Sequence, residues 1–299
     1  AKIAKVVDNN NQEITDLSTS GIFFTDGATV GGNTVNNVVA TIGNDSYTSL
    51  DAAIDAAISS QDNNVTINLK QDATGDKALT SAKYTISNKT ITIKSDGGND
   101  ITVNTIRNQD DYAFTLTNAI LVLDNVNMTV NGSFAGQDTS VNHYGRGFDV
   151  QNNGSELKLT GGTHLTLKNL DSGFVFAQGI TTANSIGKLT IDNSSTLTID
   201  TLDGNASNGG FWNVTDSTVD VKNCGDNAIS TEGFTAKNSK ITVENAGMFA
   251  LYGPTITLDG NTSVTVTNCG SELTGQSSSY DYSGYHSPVQ IKNYNRVTK

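Results

Sequence analysis

The sequence contains little cysteine, proline or positive charge. Of its 299 residues, 2 are cysteine and 2 are proline. Two cysteines exclude a disulfide-rich scaffold and match the composition of cysteine-poor surface proteins. Lysine and arginine total 18 against 30 aspartates and glutamates, which gives a formal net charge of -12. Because such a chain repels the phosphate backbone of nucleic acids, we expect no nucleic-acid partner.

Long apolar stretches are missing as well. No segment approaches the roughly 18 apolar residues that a membrane-spanning helix needs, and no basic segment followed by an apolar one opens the sequence. We therefore expect no membrane insertion and an export signal that is removed or lies outside the sequence. Short runs of Val, Ile, Leu and Thr recur throughout, so the chain is expected to fold rather than to remain disordered.

An internal repeat is the strongest feature that is present. Five segments alternate apolar and polar residues and mostly end in asparagine; they start at Leu165, Leu197, Val219, Ile241 and Val264. Their successive offsets are 32, 22, 22 and 23 residues. Alternation with a period of two predicts strands with one buried face, and a fixed spacing of some 20 residues predicts a solenoid.

Two further short strands accompany each of these segments, so that each coil holds three strands. We therefore predict an all-β fold, namely a right-handed parallel β-helix, with about 8 to 10 coils. Longer spacings around 132–147, 177–187 and 202–210 are interpreted as loops that project from the coils. Such insertions tend to gather on one face of a repeat protein.

Two columns of residues follow from this alignment. A structural ladder of stacked side-chain amides is predicted just past the strand, formed by Asn169, Asn223, Asn245 and Asn268. The next column contains both cysteines, two coils apart. At about 4.8 Å per strand they are separated by about 9 to 10 Å, beyond the roughly 7 Å that a disulfide allows. We expect buried free thiols.

The repeat sets the expected domain boundaries. Residues 48–59 have the apolar spacing of an amphipathic helix, and we expect this helix to cap the front of the solenoid. The β-helix is predicted to span residues 37–279. Residues 1–36 are interpreted as an N-terminal flank of short strands, and residues 280–299 as a C-terminal cap or the start of a linker.

The start of the solenoid carries a family resemblance. The segments Val39–Gly43, Tyr47–Ala57 and Thr66–Asp72 together resemble the opening of adhesin-like surface proteins of gut Firmicutes that carry a pectin-lyase-like β-helix. The resemblance covers residues 37–75 by motif and the remainder by repeat style. It implies a secreted or cell-surface bacterial protein with several domains, in a group that includes both adhesins and carbohydrate-active enzymes.

Two aromatic and basic clusters are the candidate binding residues. His143, Tyr144 and Arg146 lie in an expected projecting loop, where they either contact a ligand or hold the loop in place through hydrogen bonds. The other cluster either stacks against sugars or covers the last coil, and it consists of Tyr280, Tyr282 and Tyr285. The expected partner is a host or environmental glycan or glycoprotein.

Catalytic and metal-binding patterns are weak. The acidic pair Asp110-Asp111 has the pattern of a solvated loop, and the three arginines share no coil position. We therefore assign no catalytic residue, no metal ligand and no cofactor. Turns such as Asp96–Asp100 offer oxygen ligands, so a structural calcium ion stays an alternative. The sequence favours an extracellular binding or adhesion module. The alternative is a polysaccharide lyase or glycoside hydrolase.

Overall fold

The computed structural model describes residues 38–269, except 81–83, 106–111, 133–144, 152–153, 176–186, 203 and 254. It also describes the short segments 2–3, 5–7, 10–13, 28–30, 33–35, 289–291 and 297–298. Within these residues the fold is all-β, with one α-helix, Leu50–Ser59, and one 3-10 turn, Gly75–Lys77. Three long sheets of mainly parallel strands make up the fold, an arrangement consistent with the predicted solenoid.

Each sheet is built from strands that are far apart in sequence. The ten strands of the first sheet are Asp45–Tyr47, Ala40–Ile42, Asn64–Leu69, Thr90–Ser95, Ile120–Asp124, Glu156–Thr160, Lys188–Ile191, Phe211–Thr215, Gly233–Lys237 and Ile256–Asp259. The nine strands of the second sheet are Leu79–Thr80, Asp100–Asn104, Asn127–Asn131, His164–Leu170, Thr196–Leu202, Thr218–Cys224, Lys240–Ala246, Ser263–Thr267 and Val297–Thr298. The eight strands of the third sheet are Thr85–Ser87, Tyr112–Thr117, Arg146–Gln151, Phe174–Val175, Ser207–Asn208, Ile229–Ser230, Leu251–Gly253 and Val289–Ile291.

The chain visits the three sheets in a fixed order. From Asn64 onward each strand of the first sheet is followed by one of the second and one of the third, and we call one such pass a repeat. The register places Leu165 beside Leu197, Leu197 beside Val219, Val219 beside Ile241 and Ile241 beside Val264. This register confirms the alignment of the five segments that the sequence predicted.

The front of the stack is closed by antiparallel pairing and by the helix. Ala40–Ile42 runs antiparallel to both Asp45–Tyr47 and Asn64–Leu69. The helix then begins after Ser49, whose side chain accepts a hydrogen bond from the Ala52 amide at 3.1 Å. Its apolar face is buried, so the helix covers an end of the core that would otherwise be open to water.

Antiparallel strands also occur at the far end of the stack. Val289–Ile291 pairs with Leu251–Gly253 in the third sheet, and Val297–Thr298 pairs with Ser263–Thr267 in the second. A small separate sheet joins Lys2–Ile3, Ala28–Val30 and Asn33–Val35, and its last two strands pair antiparallel.

A stack of aromatic rings runs through the core. Phe114, Phe148 and Phe174 lie on the third sheet, and Tyr84 directly precedes the first strand of that sheet. The successive ring centroids, starting from Tyr84, are 5.2, 5.7 and 5.7 Å apart. At the next repeat Ser207 takes this position and Trp212, on the first sheet, continues the stack at 5.7 Å. The Trp212 indole N–H donates to the Ser207 hydroxyl at 3.2 Å. The buried indole donor therefore has a hydrogen-bond partner where the aromatic stack passes from the third sheet to the first.

A column of buried hydroxyls marks the corner between the first and second sheets. It contains Thr163, Ser195, Ser217, Ser239 and Thr262. The Ser239 hydroxyl accepts from the Ser217 amide at 3.2 Å, and the Thr262 hydroxyl accepts from the Ser239 amide at 3.4 Å. The hydroxyls of Thr163, Ser239 and Thr262 thus each satisfy a backbone amide of the preceding repeat, whereas the buried Ser195 hydroxyl has no hydrogen-bond partner among the described residues.

Candidate binding site

Most of the candidate binding residues lie outside the described part of the chain. These are His143, Tyr144, Tyr280, Tyr282 and Tyr285, so their expected role stays a prediction. Arg146 is described, and it lies not in a loop but at the start of the strand Arg146–Gln151 in the third sheet.

Arg146 contacts one residue of the preceding repeat, Tyr112, and one residue of the following repeat, Asp171. Its Nε donates to a carboxylate oxygen of Asp171 at 2.9 Å, and an Nη1 hydrogen is donated to the Tyr112 hydroxyl, also at 2.9 Å. The guanidinium carbon lies 5.6 Å from the centre of the Tyr112 ring, within the range of a cation–π contact. Tyr112 and Arg146 are register partners on adjacent strands. We call these three residues the Arg146 cluster.

The Arg146 cluster is fixed in place and still reaches solvent. The Arg146 and Asp171 side chains are 23% and 30% exposed. Among the described residues, the two hydrogen bonds use two of the five N–H groups of the guanidinium. Further donors therefore remain for a ligand that approaches from solvent, while the ion pair restricts the rotamers of the side chain.

A second polar group lies further along the same strand. Asp149 is only 7% exposed, and one of its carboxylate oxygens accepts a hydrogen bond from the Gln151 side-chain amide at 2.5 Å. Burial raises the pKa of Asp149 above its usual value, and the smaller effects of the Gln151 hydrogen bond and of the Arg146 charge oppose that increase. The Gln151 amide oxygen in turn accepts from the hydroxyl of Thr117, its register partner, at 3.4 Å.

The asparagines of the predicted ladder lie at the corner after the second sheet. The Asn245 amide donates to Asn223 at 3.0 Å, and the Asn268 amide donates to Asn245 at 3.3 Å. Asn169 likewise donates to Asn131 of the preceding repeat at 3.2 Å. Asn223 donates instead to Asp200 at 2.8 Å, because Thr201 occupies the equivalent position of the preceding repeat. All four predicted asparagines have a positive φ, between 53° and 57°. Asparagine tolerates this left-handed conformation better than most residues, so the column serves the turn.

The outward face of the second sheet presents threonine and alternating charge. One column runs through Thr166, Thr198, Asp220, Thr242 and Thr265. Beside it, Lys168, Asp200, Lys222 and Glu244 alternate in sign from repeat to repeat. Lys222 pairs with Asp220 on its own strand at 3.0 Å. Because the charges alternate, this face carries little net charge and offers a matched control for the Arg146 cluster.

Both cysteines are buried free thiols, as predicted. Burial raises the pKa of Cys224 to about 12 and also raises the pKa of Cys269. A thiol held in its neutral form is a poor nucleophile and a poor metal ligand, so these residues act as small apolar side chains in the core.

Two contacts that the sequence did not suggest attach the helix to the stack. The Lys89 ammonium donates to the carbonyls of Ala57, Ile58 and Ser60 at 3.0, 2.7 and 2.8 Å. The Tyr84 hydroxyl donates to Asp51 at 2.5 Å. Lys89 lies 29 residues beyond Ser60, so no local pattern relates the two.

The described residues contain no group of three or more His, Cys, Asp or Glu side chains that could hold a metal ion. In the turn Asp96–Asp100, the Asn99 side-chain amide and the Asp100 backbone N–H both donate to the same carboxylate oxygen of Asp72, each at 3.0 Å. None of the helices in the described ranges has both the length and the apolar character required to cross a membrane.

Comparisons with protein-family models, with curated proteins and with solved structures gave no match.

Proposed function

We propose that this chain is an extracellular binding module of a bacterial surface protein, and that it binds a host or environmental glycan or glycoprotein. In this proposal the three sheets form a right-handed parallel β-helix of the pectin-lyase-like type. The resemblance of residues 37–75 to adhesin-like proteins of gut Firmicutes supports the surface location. It also supports a place within a larger multidomain protein.

The observation that carries the proposal is the Arg146 cluster. The partly exposed guanidinium of Arg146 pairs with Asp171 and lies over the Tyr112 ring. Tyr112 lies on the neighbouring strand of the third sheet, and Asp171 lies at the corner that follows the second sheet. Sugar hydroxyls and carboxylates bind to groups of this kind, because guanidinium donors and carboxylate acceptors match their geometry. A rigid scaffold lowers the entropy that such a site loses on binding.

The regular sheet scaffold supports a protein that holds binding residues at fixed positions rather than one that changes conformation. Between the antiparallel pairs at the two ends, neighbouring strands of all three sheets pair in parallel register, and the core side chains are almost fully buried. Such a stack holds a surface group at a fixed position over a long distance, as expected of a surface-exposed binding protein.

A glycan array that contains neutral and acidic glycans tests the proposal. The full chain is compared with Arg146→Ala and with Lys222→Ala, the control that breaks an ion pair of similar exposure on another sheet. We expect specific binding that falls at least tenfold in Arg146→Ala and is unchanged in Lys222→Ala. Thermal unfolding of both variants checks that the fold is retained. Equal binding by all three chains, or no binding at all, would contradict the proposal.

Cleavage of an extracellular polysaccharide is the second candidate, and Asp149 is the observation that favours it. A carboxyl group with a raised pKa near an arginine is a plausible general acid. Its exposure of 7% limits access by a polymer, and for that reason we rank binding first. Reducing-end and unsaturated-product assays on a polysaccharide panel decide between them. Turnover that Asp149→Asn or Arg146→Ala abolishes would establish the enzyme.

A further inference from the structure

We propose that two copies of this chain pair face to face through the outward surface of the second sheet, with their stacks running in opposite directions about a twofold axis. The observation that carries the proposal is a column of four charges whose sign alternates from one repeat to the next: Lys168, Asp200, Lys222 and Glu244. We call these four residues the charge column. The proposed glycan site does not use this surface, because Tyr112 and Arg146 lie on the third sheet.

The outward surface of the second sheet is electrically balanced, although the chain as a whole is acidic. The chain carries a formal net charge of -12, so two copies repel each other on average. The five strands from His164–Leu170 to Ser263–Thr267 instead carry three lysines and three acidic residues, namely Lys168, Lys222, Lys240, Asp200, Asp220 and Glu244. A second copy can therefore approach this surface without net repulsion.

The charge column is not neutralised within its own chain. Its consecutive members are register partners on parallel strands, which lie about 4.8 Å apart. Among the described residues, however, no ion pair joins two members, and Lys222 pairs instead with Asp220 on its own strand at 3.0 Å. The outer members, Lys168 and Glu244, are partly exposed and form no ion pair within the described part of the chain. Their charges remain available to a partner.

A second copy of the same column supplies the opposite charges. The twofold axis runs along the strand direction, midway between the strands Thr196–Leu202 and Thr218–Cys224, and reverses the order of the repeats in the second copy. The first member of the charge column then faces the fourth, and the second faces the third. Twofold symmetry repeats each contact, so all four members of both columns meet an opposite charge. Asp220 of the neighbouring column falls opposite Thr198, whose hydroxyl can donate to a carboxylate.

The alternation also selects one register. A slip of the second copy by one strand places Asp200 opposite Asp200 and Lys168 opposite Lys222. A slip in the other direction places Lys222 opposite Lys222 and Asp200 opposite Glu244. Both slips bring like charges together at every contact of the column. Such contacts disfavour a wrong arrangement, so the column specifies the register as well as the partner.

The expected dimer is weak and reversible. Five strands of about seven residues cover a surface of about 24 Å by about 23 Å. Two copies then bury roughly 1,000 Å² in total, which is at the small end of specific interfaces. Because the third sheet stays outside the contact, the dimer presents two copies of the Arg146 cluster. A ligand that reaches both is bound more tightly without any new contact.

Sedimentation equilibrium of the full chain, from about 1 μM to about 1 mM, tests the proposal. We expect a reversible monomer–dimer equilibrium. Lys222→Glu places a carboxylate opposite Asp200 in both copies and should weaken the dimer about tenfold or more. The matched control is Lys188→Glu, which makes the same change of net charge at an exposed position of the first sheet and should leave the equilibrium unchanged.

A mixture of two variants separates pairing between copies from effects within one chain. Asp200→Lys alone should also dissociate the dimer, because it places an ammonium group opposite Lys222. When Lys222→Glu faces Asp200→Lys, every member of the charge column again meets an opposite charge. An equimolar mixture should therefore form a heterodimer, although each variant alone is monomeric. Thermal unfolding of each variant checks that the fold is retained.

Three results would overturn the proposal. They are a wild-type chain that stays monomeric up to about 1 mM, a Lys222→Glu dimer as tight as that of Lys188→Glu, and a mixture of the two complementary variants that stays monomeric. Glycan binding is measured on dilute, monomeric chain, so failure of the pairing would not be mistaken for failure of the proposed function.

Discussion

Replacing Lys89 by methionine should loosen the capping helix. The Lys89 ammonium donates to three carbonyls at the carboxyl end of the helix Leu50–Ser59, at distances between 2.7 and 3.0 Å. These carbonyls belong to the last turn and the residues beyond it, where the helix itself supplies no donors. Methionine keeps the length and the apolar stem of the side chain but removes the charge and every donor.

The size of the effect follows from these bonds. A hydrogen bond from a charged donor contributes about 1.5–3 kcal/mol, and a cation at a helix C-terminus about 0.3–1 kcal/mol. The three bonds share one ammonium group that is partly open to water, and the released carbonyls can bind water instead. The contributions therefore do not add, and we expect Lys89→Met to lower the free energy of unfolding by about 2–3 kcal/mol.

Urea denaturation and hydrogen exchange measure this change. Lys94→Met is the matched control, because Lys94 lies on the strand Thr90–Ser95 just after Lys89 and does not bond the helix. Lys94→Met should alter stability by less than about 0.5 kcal/mol. In Lys89→Met, amide exchange should rise first near Ser60, whose N–H donates to Ala56 at the helix end. Equal stability of the two variants would refute the capping role of Lys89.

Three further predictions concern the core and the turns. Cys224 and Cys269 should not react with a thiol reagent at about pH 8 until the chain unfolds, because burial raises both pKa values; labelling with and without urea measures this. Asn245→Ala should lower the free energy of unfolding by about 1–2 kcal/mol, because it removes two amide hydrogen bonds and strains a turn with φ 57°. Asn245→Gly relieves the strain and should lower it by less in the same urea assay. Because the pKa of Asp149 is raised in the folded state, its contribution to stability is fully present below the unfolded pKa and is lost as the pH rises through the folded pKa. Asp149→Asn should therefore gain stability relative to wild type as the pH rises above about 4, the usual pKa of an unfolded aspartate, and a constant difference in urea midpoints would contradict this.

The repeat could be predicted because its residues alternate with a strict period. Inward positions such as Leu165, Leu197 and Val219 must be apolar in every repeat, so the sequence alone aligns strands that the structure pairs. The asparagine turns were visible for a related reason, since few residues adopt a positive φ. Both signals come from rules that act on every repeat in the same way.

Contacts that occur once could not be predicted in this way. Lys89 bonds the helix across 29 residues, and Trp212 continues an aromatic stack that begins on another sheet. The Arg146 cluster depends on Tyr112 and Asp171, which share no motif with Arg146 and meet it only because the register places their repeats side by side. Pairing of this kind is a property of the three-dimensional stack rather than of any local pattern.

Amide hydrogen exchange of the full chain with and without its best glycan from the array tests the proposed function most directly. If the Arg146 cluster binds the glycan, protection should increase at the strands Tyr112–Thr117 and Arg146–Gln151 and near Asp171. The second-sheet strands Thr218–Cys224 and Lys240–Ala246, which carry the control ion pair and the alternating charges, should remain unchanged. Protection confined to the second sheet, or none at a glycan concentration that saturates binding, would contradict the proposal.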